Sequence, residues 1–306
     1  SPEATPKMSR PSESTSALRP SLTTSPCWPS AASTFKSALY LSDVFVMTQI
    51  ISIHSFRGGT GKSNLTANLS VAVAQQGKRV GIVDTDIQSP GIHVIFGLDE
   101  DEFTYSLNDY LWGKCPVEDT AYEVGNNLVD GSGAPANIEG SVYLVPSSIK
   151  AGEIAKILRQ GFDVGLLNDG FHDLIDALDL DFLFIDTHPG LNEETLLSIA
   201  ISDAAIIVLR PDRQDLMGTA VTLEVSRKLN VPNLMLLLNK ASQSFDRSSL
   251  AKQVTTLYGA PMAGLFYEND EMLRLASSGV FCLHYPDHPF TQEVHQVMQQ
   301  LIQGES

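Results

Sequence analysis

The chain has 306 residues, of which 43% are hydrophobic, and a formal net charge of −16. This composition suits one large α/β domain or two small ones and excludes a wholly disordered chain, while no window nears the roughly 18 apolar residues of a membrane helix. Such an acidic body repels DNA phosphates and anionic lipid unless a local basic run overrides it, and the sequence holds no such run.

Residues 1–46 differ from the rest. They are rich in Ser, Thr, Pro and Ala and hold four basic and three acidic residues, leaving 16 basic and 33 acidic for the remainder. A segment of this kind buries too little apolar area to offset its ordering entropy. It is read as a disordered or non-native extension. A Ser-rich transit peptide is the alternative, and a third reading makes Met47 the start. The cysteines, Cys27, Cys115 and Cys282, lie outside any metal-ligand spacing and read as incidental thiols of a reducing compartment. The corresponding localisation is cytoplasmic, or an organelle if residues 1–46 are a transit peptide.

Residues 47–306 read as a single domain. Gln49–Ile53 is a short β-branched strand, and Lys62–Gln76 a helix with Leu65, Leu69, Ala72 and Val73 on one side, stopped by Gly77. Arg79–Asp84 is a second strand. The region 99–140 is irregular, rich in Gly, Asn and Asp. Strands follow at Ser141–Val145, Phe182–Asp186, Ala204–Leu209, Asn233–Leu238 and Pro261–Leu265, with helices expected at 149–158, 171–178, 215–229, 271–276 and 291–302. Strands apolar throughout and alternating with helices predict a predominantly parallel twisted sheet covered on both faces, an α/β P-loop fold. In such a fold ligands bind beyond the carboxyl ends of the strands.

Three stretches fall at that edge. Phe56-Arg57-Gly58-Gly59-Thr60-Gly61-Lys62-Ser63 lies between a strand and a helix. Glycines let backbone N–H groups approach phosphate, the helix N-terminus adds a positive dipole end, Lys62 brings a cation to the β/γ-phosphates, and Ser63 offers a hydroxyl to Mg²⁺. Asn64 continues this ATP-binding loop. The general pattern wants glycine where Phe56 stands. In Asp84-Thr85-Asp86-Ile87-Gln88, two carboxylates lie at and just past a strand end. The first suits Mg²⁺ and the second suits alignment of an attacking water. In Asp186-Thr187-His188-Pro189-Gly190, Asp186 suits a further Mg²⁺ contact and Gly190 a point of movement. His188 is read as structural, with phosphate sensing or titration as the alternative. At the end of a later strand, the Asn239 amide suits a purine edge, with a turn cap as the alternative.

These residues, in this order, resemble the deviant Walker A ATPases of the MinD/ParA type, within the CobQ/CobB/MinD/ParA nucleotide-binding superfamily. The resemblance runs from about Thr48 to Ile302. The family's loop begins with Lys, and Arg57 stands in that place. The resemblance implies that Asp84-Thr85-Asp86 is switch I, that Asp186–Gly190 is switch II, that Asn239 reads adenine, and that 264–270 closes over the base. It further implies an ATP- and Mg²⁺-dependent homodimer acting as a slow, partner-stimulated ATPase in intracellular positioning, partitioning or regulation. Lys62, Asp86 and Arg57 would be its catalytic residues, with Ser63, Asp84 and Asp186 on the metal. Arg57 would act across the dimer, although a planar bidentate guanidinium is no equivalent of lysine. An adaptor with negligible turnover is the alternative. The Cys-x-x-Cys of the Mrp-type iron–sulfur carriers, the tyrosine cluster of bacterial tyrosine kinases and the basic membrane helix of MinD are not found in this sequence.

Overall fold

Strand and helix alternate as the apolar runs require. In the computed structural model, which describes residues 48–304, the order is β1 (Gln49–His54), α1 (Lys62–Ala74), β2 (Arg79–Asp84), α2 (Ile92–Ile95), α3 (Leu107–Leu111), β3 (Tyr122–Glu123), β4 (Ser141–Val145), α4 (Ala151–Gln160) and α5 (Val164–Leu178). There follow β5 (Phe182–Asp186), α6 (Glu193–Ala200), β6 (Ala204–Leu209), α7 (Arg213–Lys228), β7 (Asn233–Ala241), α8 (Arg247–Tyr258), β8 (Met262–Tyr267), α9 (Asp270–Leu275), α10 (Phe281–His284) and α11 (Pro289–Gln303). The expectations for residues 1–46 and for Cys27 lie outside the described residues.

The eight strands form one sheet in the order β3-β4-β2-β5-β1-β6-β7-β8. All neighbours are parallel except β3, which pairs antiparallel to β4 at the edge. Alternate residues of each strand feed different cores. Ile51, Ile53, Ile82 and Phe184 pack under α1, α10 and α11, whereas Val83, Leu183 and Ile185 face α3 and α5, and Ile207 and Leu236 face α7 and α8. Both faces are therefore covered, which is why strands such as β6 are buried along their whole length.

Several local expectations need correction. α1 was read as one-sided, but Thr66, Ala67, Asn68, Ser70 and Val71 are buried as fully as Leu65 and Leu69. It lies between the sheet and the closing helices α10 and α11, so beyond its first turn no face of it meets water. The helix expected from residue 171 begins at Val164, capped by the Asp163 carboxylate, which accepts from the Gly165 N–H. α6 and α8 were not anticipated. Both open on side-chain caps, at Asn192 and Asp246, a signal that short polar residues before weakly periodic segments do carry. The region 99–140 resolves into α3, three 3-10 turns and the short edge strand β3.

Candidate functional site

The glycine-rich loop joins β1 to α1. Gly59 and Gly61 have φ of 78° and 94°, backbone that side chains seldom adopt. A Cβ on Gly61 would stand 2.5 Å from the Asn239 amide nitrogen. No side chain caps α1, unlike α5, α6, α7, α8 and α9. An uncapped N-terminus leaves its amides for an anion. Thr60 and Lys62 are buried, Ser63 and Asn64 half-buried, and Gly58 and Gly59 exposed. Buried Thr60 Oγ1 and Asn64 Oδ1 have no hydrogen-bond partner among the described residues.

The loop's back half is tied to the end of β7. Asn239 Nδ2 donates to the Thr60 carbonyl at 2.7 Å, and Lys240 Nζ to the Gly59 carbonyl at 2.8 Å. Asn239 Oδ1 accepts from the Lys240 N–H. The Asn239 amide therefore braces the loop and keeps one N–H for a ligand. Asn239, Gly61 and Asn64 line a cavity of about 370 Å³ with Tyr267, Glu268 and Met272. The segment 264–270 thus reaches the cavity over which it was expected to close.

The front half is tied elsewhere. Exposed Arg57 donates through Nη1 to Gln214 Oε1 on α7, and its Nε lies 3.9 Å from the buried Asp215 carboxylate. Asp215 is already neutralised by Arg210, whose Nε donates at 2.8 Å. Phe56, in the position where the general pattern has glycine, lies against Gly218 of the same helix, where a Cβ would overlap its ring.

Two buried carboxylates face the loop. β2 and β5 are neighbours, and Asp84 is in register with Asp186. Burial, then Asp186 and Asp86, pushes the Asp84 carboxyl well above the usual range, against the backbone N–H bonds from Asp86 and Gly91. Burial also raises Asp186, while Lys62, the Ser63 hydroxyl and the Thr66 hydroxyl pull it down. A pair of buried like charges beside a serine hydroxyl and a lysine suits a hard dication that keeps several waters. No cluster of three or more His, Cys, Asp or Glu with ligand geometry exists among the described residues.

The two carboxylate loops are joined. Thr85 donates through N and Oγ1 to the Asp186 carbonyl at 2.9 and 3.1 Å. His188 Nδ1 lies 2.6 Å from Asp86 Oδ1. The Gly190 N–H donates to the Ser55 carbonyl, returning the second loop to the first. Two residues were missed by sequence reasoning. His54, fully buried at the end of β1, contacts Thr187 Oγ1 through Nδ1 at 2.8 Å, and burial, Lys62 and His188 hold its pKa down at about 3. The second is Lys240, directly after Asn239, whose Nζ donates to the Gly59 carbonyl. A histidine inside an apolar strand ahead of the loop was the available signal.

Comparisons with known proteins agree with this geometry. A family profile described as "AAA domain" (AAA_31) matches residues 48–234. The chain is 28% identical over 260 residues to an uncharacterised ATP-binding protein of Methanocaldococcus jannaschii, covering 85% of this chain and 89% of that one. It is 25% identical to the septum site-determining protein MinD of Bacillus subtilis, over 76% of this chain and 81% of that one. Among solved structures, MinD of Pyrococcus horikoshii complexed with Mg-ADP superposes with a TM-score of 0.69 at 23% identity, over 85% of this chain and 99% of that one. The fold and site define a P-loop nucleotide-binding protein. The chain belongs to the AAA_31 family of such proteins, the group that includes the MinD and ParA ATPases.

Proposed function

We propose that this chain is an ATP-hydrolysing dimerisation switch in the cytoplasm that recruits a protein partner in the ATP state and resets by slow hydrolysis. The observation that carries this reading is the pair Asp84 and Asp186, buried in register on neighbouring strands beside Lys62 and Ser63. Such a pair is costly to an empty fold and suits a site that meets a cation. Mg²⁺ would be held by Ser63, Asp84 and Asp186, and when bound it would neutralise charge on the β- and γ-phosphates. Lys62 and the amides of Gly58–Ser63 bind the phosphates. The spare Asn239 N–H reads the purine at the cavity beside Tyr267 and Glu268. Asp86 aligns the water, and Arg57 stabilises charge in the transition state across a homodimer.

Lys62→Ala is expected to lower ATP turnover by at least about a hundredfold, measured as phosphate release; turnover at the original rate would sink the reading. An adaptor with negligible turnover is supported by one observation. Arg57 is held by Gln214 of its own chain, so a partner subunit competes with that contact. Turnover indistinguishable between wild type and Asp86→Ala, with ATP still bound, would favour the adaptor.

A further inference from the structure

Asp86 stands in an awkward place for a residue that must hold a water still. It lies on a loop past the end of β2, only two residues from Asp84, and its charge acts on both Asp84 and Asp186. Like-charge repulsion from that pair favours rotation of the Asp86 carboxylate away from it, and a loop side chain has the freedom to follow. Three donors oppose this, all on one oxygen. Asp86 Oδ1 accepts from the Ser89 N–H and hydroxyl, both at 3.1 Å, and lies 2.6 Å from His188 Nδ1. The serine belongs to the same loop and moves with it. His188 does not. Its carbonyl accepts from Thr195 Oγ1 on α6, Pro189 follows it, and Gly190 is bonded to Ser55 at the start of the glycine-rich loop. Oδ2 of Asp86 has no hydrogen-bond partner among the described residues, and the two side chains are only 15% and 20% exposed.

We propose that His188 is a positioning residue: its Nδ1–H clamps Asp86 Oδ1 so that Oδ2 is presented to the water that attacks the γ-phosphate. This rests on the reading of Asp86 as the group that aligns that water. The clamp requires the proton on Nδ1, because a carboxylate oxygen can only accept. It also joins the two carboxylate loops through side chains, so that Asp86 reaches its working position only when the Asp186–Gly190 loop is in place.

The test has two parts. In nucleotide-free full-length protein with ¹⁵N-labelled histidine, NMR is expected to show His188 as the Nδ1–H tautomer, and to show that preference lost in Asp86→Ala. In kinetics, His188→Ala is expected to lower kcat by about ten- to a hundredfold, as loss of a supporting hydrogen bond does at other sites, with KM for ATP within about threefold of wild type. His188→Asn, whose Nδ2 falls where Nδ1 lies, restores most of kcat. His188→Gln, whose donor falls where Nε2 lies, does not. In an Asp86→Ala background, His188→Ala causes no further loss. The proposal is overturned by an Nε2–H tautomer, by wild-type kcat in His188→Ala, by failure of Asn to rescue at an unchanged melting temperature, or by a loss that persists without Asp86. Wild-type turnover in Asp86→Ala would instead remove the functional reading beneath it, whatever His188 does. Should His188→Ala fail to fold, the tautomer measurement on wild type and the Asn–Gln pair decide the question.

Discussion

The two halves of the glycine-rich loop are held by different parts of the molecule. Gly59 to Ser63 are locked from behind by Asn239 and Lys240 at the end of β7 and run into a helix buried on every side beyond its first turn. Phe56 and Arg57 are exposed and hang on α7 through Gly218, Gln214 and the edge of Asp215. The back half is bonded from behind to the end of β7, and on the proposed function those bonds persist when phosphate binds. The front half is fastened by the exposed Arg57 side chain, through Gln214 and a long 3.9 Å approach to an Asp215 carboxylate that Arg210 already pairs, so Arg57 can leave without stranding a buried charge. One loop thus contains a fixed cradle and a releasable cation, and the two basic residues, Lys62 buried and Arg57 exposed, divide along that line.

Substitution of the releasable half gives the largest test. Arg57→Ala is expected to reduce kcat by about 10³-fold if Arg57 serves as a trans arginine, while nucleotide affinity and melting temperature stay near wild type. A large drop in affinity with kcat intact would place Arg57 in the cradle and erase the distinction. Substitution in the fixed half should behave oppositely. Gly61→Ala meets both a φ of 94° and the Asn239 amide, which costs about 1–2 kcal/mol in backbone strain and dislodges Asn239 as well. Thermal unfolding and equilibrium nucleotide binding should both weaken, whatever the turnover of the bound fraction. An unchanged melting temperature would show that the back half is not rigid.

The third test concerns what lies beneath the loop, where the effect near neutral pH is the smallest of the three and grows only on acidification. His54 is buried and neutral, with its pKa held at about 3 against 6.5 in the unfolded chain. Between those values the unfolded state binds the extra proton, so this residue lowers stability progressively as pH falls from about 6.5. The slope approaches 1.4 kcal/mol per pH unit. Replacement by Phe should flatten the wild-type decline in that range, measured by denaturant unfolding at successive pH values. Asp84, raised in the fold, acts with the opposite sign: its cost appears as pH rises above its unfolded value of 3.8. For that reason the difference between His54→Phe and wild type, not either curve alone, is the quantity to compare.

Much of this protein was legible in its residues. Apolar runs marked β1, β2, β4, β5, β6 and β7 because strands buried on both faces need no alternation, and the glycines with Lys62 and Ser63 marked a strand-to-helix loop of left-handed backbone ahead of an uncapped helix. The carboxylates Asp84, Asp86 and Asp186 were legible as strand-end acids. Less legible were α6 and α8, whose apolar stripes are weak and whose caps were the better signal, and the all-round burial of α1, since periodicity shows what a helix presents but not how many neighbours it meets. The sequence by itself determined which groups lie at the carboxyl edge of the sheet. Only the tertiary structure decided which of them touch. Asp84 faces Asp186 because β5 inserts between β1 and β2, His188 meets Asp86 because the loops after those strands are then adjacent, and Arg57 rests on α7 because Gly218 admits Phe56 beside it. Local chemistry sets what each strand end carries, whereas strand order, a property of how the whole chain crosses over the sheet, sets its partners.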